Sequence, residues 1–333
     1  MKTRQLFKGL LVATLATTLL VGCGENKSKS SESSKMKKVA IVQLVEHTSL
    51  NTIKSAFDNQ MKALGYEDGK NIEYVFKNAQ GDNNTAASII QEFKAANPDV
   101  VMAIATPVAQ AAAPLSTKTP VIFSAVSDPI GAKLTTSLEK PDKNITGTSD
   151  EIQVELILEK ALQINPDLKK LGVIYNKGEA NSVTNIKKAK TFADSKGIEL
   201  VEATISSVNE VQSAIDVLTS KCDAVFAPND NTVAKAMNVV GNACAKAKKP
   251  LYVGADSMVQ DGGFLSVGIN YEDLGKETAN MVDKVLKGTK VSDIPVKVFK
   301  DNLNIYVNEK VLNQIGIQLP DSIKNDKALS LMK

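Results

Sequence analysis

The stretch Val121-Ile-Phe-Ser-Ala-Val-Ser-Asp-Pro-Ile-Gly131 decides how the rest of the chain reads. Val121–Phe123 is a short apolar run, which then meets Ser124, Ser127 and Asp128, with Pro129 immediately behind. Apolar residues without polar alternation are the pattern of a parallel strand buried on both faces. The polar residues behind it mark the carboxyl end, where open α/β sheets hold their ligands. The question is whether other strands deliver polar groups to the same place.

Working outward, strands and helices alternate from Lys38 on. Val39–Val42, Ile72–Phe76, Val100–Ile104 and Val121–Phe123 read as strands, with helices at Leu50–Leu64, Thr85–Ala96 and Pro107–Leu115. Ala86, Ile89, Ile90 and Phe93 share one face of the second helix, the spacing of an amphipathic element. A second block repeats the plan. Its strands are Leu171–Ile174, Ile198–Ala203, Ala224–Phe226 and Leu251–Val253; its helices are Ile152–Ile164, Val183–Lys196, Val208–Leu218 and Val233–Ala247. The spacings agree: Gln43 to Gly65 and Tyr175 to Gly197 are both 22 residues. Asp99 to Thr106, Asp223 to Asp230, Pro120 to Ser127 and Pro250 to Ser257 are all seven.

Such alternation gives parallel sheets with right-handed crossovers. The expected fold class is therefore α/β, with two similar lobes, each a parallel sheet flanked by helices. A length of 333 residues fits two domains. After the second block come strand Leu265–Ile269, helix Tyr271–Leu286, strands Val296–Phe299 and Leu303–Val307, and helix Val311–Leu319. This tail implies that the chain crosses between lobes three times, near Asn144–Ser149, Gly268–Tyr271 and Lys300–Leu303. Three crossings make a hinge of limited, defined opening. The expected partition is 38–146 plus 271–300 for lobe 1, and 147–270 plus 301–333 for lobe 2.

The amino terminus has a different character. Lys2, Arg4 and Lys8 precede the apolar run Gly9–Leu20, which is too short to span a membrane, and Leu20-Val21-Gly22-Cys23 follows. This is the order of a lipoprotein signal peptide over residues 1–22, with Cys23 as the lipidated first residue of the mature chain. Residues 23–38 then form a Ser/Lys-rich flexible tether. Processing removes three of the 40 basic residues, leaving 37 against 37 acidic ones. Nucleic-acid binding loses its compositional basis, and the only expected membrane contact is the lipid anchor. Localisation is read as the extracytoplasmic face of a cell membrane, with a Gram-positive surface suggested by the Lys-rich tether and the scarcity of arginine.

Scarcity also limits the chemistry. Arg4 is the sole arginine, so the mature domain has no guanidinium clamp for a carboxylate or phosphate. His47 is the sole histidine, which excludes a multi-histidine metal site. There is no Gly-x-Ser-x-Gly elbow, no Walker-type loop and no Cys-His pair with supporting spacing, so the chain is not read as an enzyme. No cofactor and no metal are expected. Cys222 and Cys244 read first as buried thiols, with a disulfide between them as the alternative outside the cell.

If both sheets aim their carboxyl ends at one cleft, the groups facing it can be named. Thr106, Ser124 and Ser127 are candidates for a ligand carboxylate, and Asp256 and Asp230 for its amine. Gln43, His47, Asn83, Tyr175, Asn181 and Asn231 are candidates for the cleft wall or the ligand side chain. Several have bland alternatives. Thr106-Pro107 and Asp128-Pro129 also fit helix caps followed by a first-turn proline. Asp230 and Asp256 can be caps as well, His47 a solvated loop residue, and Tyr175 a core tyrosine. Acids on one lobe facing hydroxyls and helix N-termini on the other suit a zwitterion.

Six segments carry a family resemblance: Gln43-Leu-Val-Glu-His47, Ala105-Thr-Pro-Val-Ala-Gln110, Phe123-Ser-Ala-Val-Ser-Asp-Pro129, Asn144-Ile-Thr-Gly-Thr-Ser-Asp150, Pro228-Asn-Asp-Asn-Thr232 and Gly254-Ala-Asp-Ser257. Together they resemble the substrate-binding lipoproteins of ABC importers, in the subfamily associated with tryptophan and tyrosine uptake. Asn51 departs from that pattern, which has Asp there. The resemblance implies a periplasmic-binding-protein fold of the three-crossover type. It also implies an aromatic amino acid ligand (tyrosine, tryptophan or phenylalanine) and an ABC permease as partner. The protein is expected to be a monomer. A surface adhesin that keeps the binding fold is the alternative function.

Overall fold

A computed structural model describes residues 36–299, 301 and 303–333. The first lobe begins with β1 (Lys37–Gln43), α1 (Thr48–Ala63), β2 (Ile72–Asn78), α2 (Asn83–Ala96) and β3 (Val100–Ile104). It continues with α3 (Thr106–Ala112), a 3-10 turn at Ala113–Thr117, β4 (Val121–Ser124) and β5 (Ile145–Ser149). The second lobe carries α4 (Val154–Ile164), β6 (Lys170–Asn176), α5 (Ala180–Lys196), β7 (Glu199–Ile205), α6 (Val211–Lys221) and β8 (Ala224–Ala227). There follow α7 (Asn231–Lys235), α8 (Met237–Lys246), β9 (Leu251–Val253), α9 (Asp256–Gln260) and β10 (Leu265–Gly268). The chain then adds α10 (Tyr271–Leu286) and β11 (Lys297–Val298) to the first lobe. It closes in the second with β12 (Asn304–Asn308), α11 (Glu309–Ile315), α12 (Asp321–Lys324) and β13 (Leu329–Met332).

The internal repeat is visible as topology. The first sheet has the order β2-β1-β3-β4-β5-β11, and the second β7-β6-β8-β9-β10-β12-β13. Each strand of the first sheet has a positional counterpart in the second, and β13 is an addition at the second sheet's edge. All pairings are parallel except β10 with β12, which run antiparallel. The central strands β3, β4 and β8 are buried along their whole length, as uninterrupted apolar runs require when helices cover both faces.

Packing explains where α10 goes. Leu50, Ile53, Phe57 and Met61 form the inward stripe of α1, and each large apolar side chain so buried contributes roughly 1.5–3 kcal/mol. Leu274, Met281 and Val282 form the matching stripe on α10. The two helices touch at Gly275, where a Cβ would lie 2.4 Å from the Ile53 carbonyl oxygen. Glycine therefore sets how closely α10 approaches α1, and so where its first residue, Tyr271, is held.

Two sequence expectations change. Asn144–Ser149 is not a polar crossing, because Ile145–Ser149 is β5, a buried strand of the first sheet. Its hydroxyls are used inside the lobe: Thr146 Oγ1 donates to the Ile294 carbonyl at 2.8 Å, and Ser149 Oγ to that of Ser127 at 3.2 Å. The first crossing thus follows Ser149, at Asp150–Gln153, rather than at residue 147. The helix expected over Val233–Ala247 breaks at Ala236 (φ −107°, ψ 20°) into α7 and α8. The crossing at Lys300–Leu303 includes Lys300 and Asn302, which lie outside the described residues. Cys222 and Cys244 are buried free thiols.

Candidate functional site

The carboxyl ends of both sheets meet in a cleft, and the lobes touch across it. His47 Nε2 lies 3.1 Å from Asn231 Oδ1, Ser49 Oγ contacts Ser257 Oγ, and Asn229 Nδ2 donates to Ser127 Oγ at 2.8 Å. Between these contacts is a narrow, nearly closed cavity of about 10 Å3. His47, Ser49, Leu50, Ala125 and Tyr271 line it from the first lobe; Asn181, Asn229, Asn231, Ala234 and Met258 line it from the second. Asp150, from the crossing segment, joins the two sides. A wider open groove lies farther out between Gln80–Asn84 and Pro107 on one lobe and Asn176–Glu179, Thr204–Val208 and Asn231–Thr232 on the other.

Asp150 is the chemical centre of the cavity. Its carboxylate accepts from Ser127 Oγ at 2.9 Å, Asn229 Nδ2 at 2.6 Å and the Tyr271 hydroxyl at 2.8 Å. Burial pushes its pKa above the ordinary carboxylate range, against the opposing pull of the Tyr271, Ser127 and Asn229 hydrogen bonds. Among the described residues, no Lys or His pairs with it. A buried carboxylate without a cation is costly, and a ligand ammonium would relieve that cost.

The other acids have different uses. Asp230 caps α7: Oδ1 accepts the Val233 N–H at 2.9 Å, while Oδ2 accepts the Asn176 N–H at 2.7 Å and the Ser182 hydroxyl at 2.6 Å. Its carboxylate is consumed by the lobe, so the amine role expected for Asp230 is corrected to that of a cap. Glu179 adds a second carboxylate at the same helix end. It accepts from the N–H groups of Asn231 (3.0 Å) and Thr232 (3.1 Å), from the Thr232 hydroxyl (2.9 Å) and from Asn231 Nδ2 (2.5 Å). Burial, and then repulsion from Asp230, raises its pKa to about 7. Asp256 opens α9 beside the cavity and accepts the Ser257 N–H at 2.7 Å; burial raises it to about 6.

The expected carboxylate ligands separate in the same way. Ser127 reaches the cavity cluster. Ser124 does not: its hydroxyl is sealed under α10 against Thr278 (2.9 Å) and Thr148 (3.1 Å), because it points to the opposite face of the sheet end. Thr106 starts α3 behind Ala105, which adopts φ +91°, and its hydroxyl is buried with no protein partner. It therefore does not cap its helix.

Of the wall candidates, His47, Asn181 and Asn231 line the cavity. Gln43 is buried beside it, where Nε2 donates to the Val45 carbonyl and Asn51 Oδ1, both at 2.8 Å. Asn83 is exposed and borders only the outer groove. Tyr175 packs in the second lobe's core and donates its hydroxyl to Glu202 at 2.7 Å, so it is not a cavity residue. Asp128 accepts the Gly131 N–H at 2.8 Å, a local turn contact. Cys23 lies outside the described residues. Asp150 and Tyr271 were missed by sequence reasoning. The signal available for Asp150 was its place directly after the run Ile145-Thr-Gly-Thr-Ser149, at a crossing.

No helix among the described residues is long and apolar enough to cross a membrane. The described residues contain no group of three or more His, Cys, Asp or Glu able to hold a metal ion. A curated relative from Clostridioides difficile, "Tyrosine-binding protein", is 36% identical over 336 aligned positions, covering 98% of this chain and 97% of its own. A structure of an ABC domain in complex with L-Trp from Streptococcus pneumonia is 35% identical, with a TM-score of 0.84 over 89% of this chain and 100% of that one. The ligand-free, open structure of a Clostridium difficile substrate-binding protein with adhesive properties is 38% identical, covering 90% and 99% of the two chains, with a TM-score of 0.66. At similar identity the fit to the open form is the poorer, in line with lobes that touch here. The model of the family described as ABC transporter substrate binding protein matches residues 38–329, and the chain belongs to that family.

Proposed function

We propose that this protein is the extracytoplasmic, lipid-anchored substrate-binding component of an ABC importer and that it captures an aromatic amino acid between its lobes. One observation carries the ligand class: a buried, cation-free carboxylate, Asp150, faces a cavity that both lobes close. The ligand ammonium takes Asp150. Ser127 Oγ, Asn229 Nδ2 and the Tyr271 hydroxyl, which now donate to Asp150, are then free to serve the ligand carboxylate beside it. Leu50, Ala125, Ala234 and Met258 supply apolar wall for a ring. Ligand contacts on both lobes favour the closed arrangement, which is the form a permease can distinguish from the open one. The C. difficile relative and the L-Trp complex support an aromatic ligand.

Calorimetry of the domain from residue 36 with L-tyrosine, L-tryptophan and L-phenylalanine tests this reading. Binding one to one at micromolar affinity or tighter is expected for at least one of them. Silence with all three, alongside binding of a sugar or purine, would overturn it. The adhesive properties of one relative favour a second, compatible role as a surface interaction protein. Adherence of cells expressing the Asp150→Asn protein separates the two, since only transport requires the ligand site.

A further inference from the structure

His47 immediately precedes α1 in extended backbone (φ −158°, ψ 166°), yet its side chain does not cap that helix. The residue is half-buried with Nδ1 enclosed, and desolvation lowers its pKa to about 4, so the ring is neutral at physiological pH. A neutral imidazole has one N–H and one lone-pair nitrogen, and its partners decide which is which.

The partners are unambiguous. Asn231 Nδ2 is committed to Glu179, whose carboxylate also receives two backbone N–H groups and the Thr232 hydroxyl. Four donors converge on that carboxylate, which fixes the Asn231 amide with Oδ1 turned to His47. An oxygen there can only accept, so His47 Nε2 carries the proton. Nδ1 is then a bare acceptor, buried and without a partner, on a residue that lines the cavity. Both acceptor residues line the cavity, Asp150 from the crossing segment and His47 beside Asn231, which also borders the outer groove.

Resting on the aromatic amino acid reading, we propose that His47 Nδ1 selects the ligand by accepting a hydrogen bond from its ring, a phenol O–H or an indole N–H. A ring without that donor leaves the nitrogen buried and unpaired. Sites built around a polar group reject the analogue lacking it far more strongly than apolar pockets reject a size change, by up to roughly 10⁴-fold or more. Phenylalanine is accordingly a poor ligand.

The test is calorimetry at pH 8 with two matched pairs: L-tyrosine against L-phenylalanine, and L-tryptophan against 3-(3-benzothienyl)-L-alanine, in which sulfur replaces the indole N–H. In one pair the donor ligand is expected to bind at least about 100-fold more tightly, and that pair tells phenol from indole. His47→Leu should narrow that ratio to below about 10-fold, mainly by weakening the donor ligand. A second measurement needs no variant. His47 is the sole histidine in the sequence, so ¹⁵N-histidine labelling reports one ring without assignment. Its unprotonated nitrogen should shift with the donor ligand and stay in place with the donor-free one.

Ratios within about threefold in both pairs for the wild-type protein would overturn the proposal. So would equal weakening of both members by His47→Leu, which would make His47 only a lobe contact. If none of the four compounds binds, the aromatic reading itself fails and this inference with it.

Discussion

Asp150 and the Glu179–Asp230 pair are both buried carboxylate clusters at the lobe interface, yet the groups that satisfy them differ in kind. Glu179 and Asp230 are held by backbone N–H groups of Asn176, Asn231, Thr232 and Val233, supplemented by side chains. Backbone donors are fixed by the helix and strand they belong to. Asp150 is held by the side chains of Ser127, Asn229 and Tyr271, each of which can turn away. The first arrangement locks a helix end, while the second is a placeholder that a cation can displace. Burial and raised pKa are common to both, so neither identifies a binding site; the kind of donor, side chain rather than backbone, does.

The sharpest way to break this comparison is to neutralise each acid in turn. Asp150→Asn should weaken amino acid binding by about 3–5 kcal/mol, the usual loss when a buried charge pair is broken, with the melting temperature held or raised. Asp230→Asn should do the reverse. Its amide nitrogen would face the Asn176 N–H and the Ser182 hydroxyl, costing about 2–3 kcal/mol of stability, with affinity changed less than about threefold. Calorimetry and thermal melts on both variants decide it, and an exchange of the two phenotypes would end the distinction.

A smaller effect probes the frame behind Tyr271. Gly275→Ala places a methyl against the Ile53 carbonyl and should cost about 1–3 kcal/mol in chemical denaturation, with weaker binding as Tyr271 is displaced.

The pH dependence of the ligand-free protein is subtler. Glu179, raised to about 7, and Asp256, raised to about 6, hold protons more tightly when folded than when unfolded. The stability they contribute is full below their unfolded values and is lost as pH rises through 6 to 7. His47 has the opposite sign: lowered to about 4, it costs stability as pH falls from 6.5 toward 4. Melting temperature should rise as pH drops from 8 toward 6.5, pause near 6 where His47 offsets Glu179, and rise again below that as Asp256 adds its share. Glu179→Gln should flatten the upper limb. The smallest expected change is from Asn83→Ala, which faces only the outer groove and should alter affinity less than twofold.

Much of the fold was legible because buried parallel strands leave a strong apolar signature, and matched spacings exposed the repeat. β5 was not legible. Its threonines and serine look like loop composition, and only the partners Ile294, Thr278 and Ser127 make them interior. β13 and α9 are too short to carry a period. Within the site, proximity to a strand end was readable but side-chain direction was not. Ser124 and Ser127 are three residues apart, yet one is sealed beneath α10 and the other faces the cleft. Asp230 looked like a ligand because its position matches Thr106 in the repeat. The repeat conserves backbone position, whereas the second lobe fills that position with its own carboxylate. Asp150 escaped notice because its importance arises from Asn229 and Tyr271, which are 79 and 121 residues distant.

Cys222 and Cys244 have a further consequence. Both thiols are inside the second lobe, 2% and 1% exposed, and burial raises Cys222 and pushes Cys244 to about 12. Thiolates are the reactive species, so a thiol reagent meets almost none while this lobe is intact. The first lobe's described residues contain no cysteine. Modification rates under native conditions therefore time the opening of one half of the molecule separately from the other. Ligand that clamps the lobes together should slow that clock, turning two inert side chains into a built-in gauge of how far closure stabilises the second lobe.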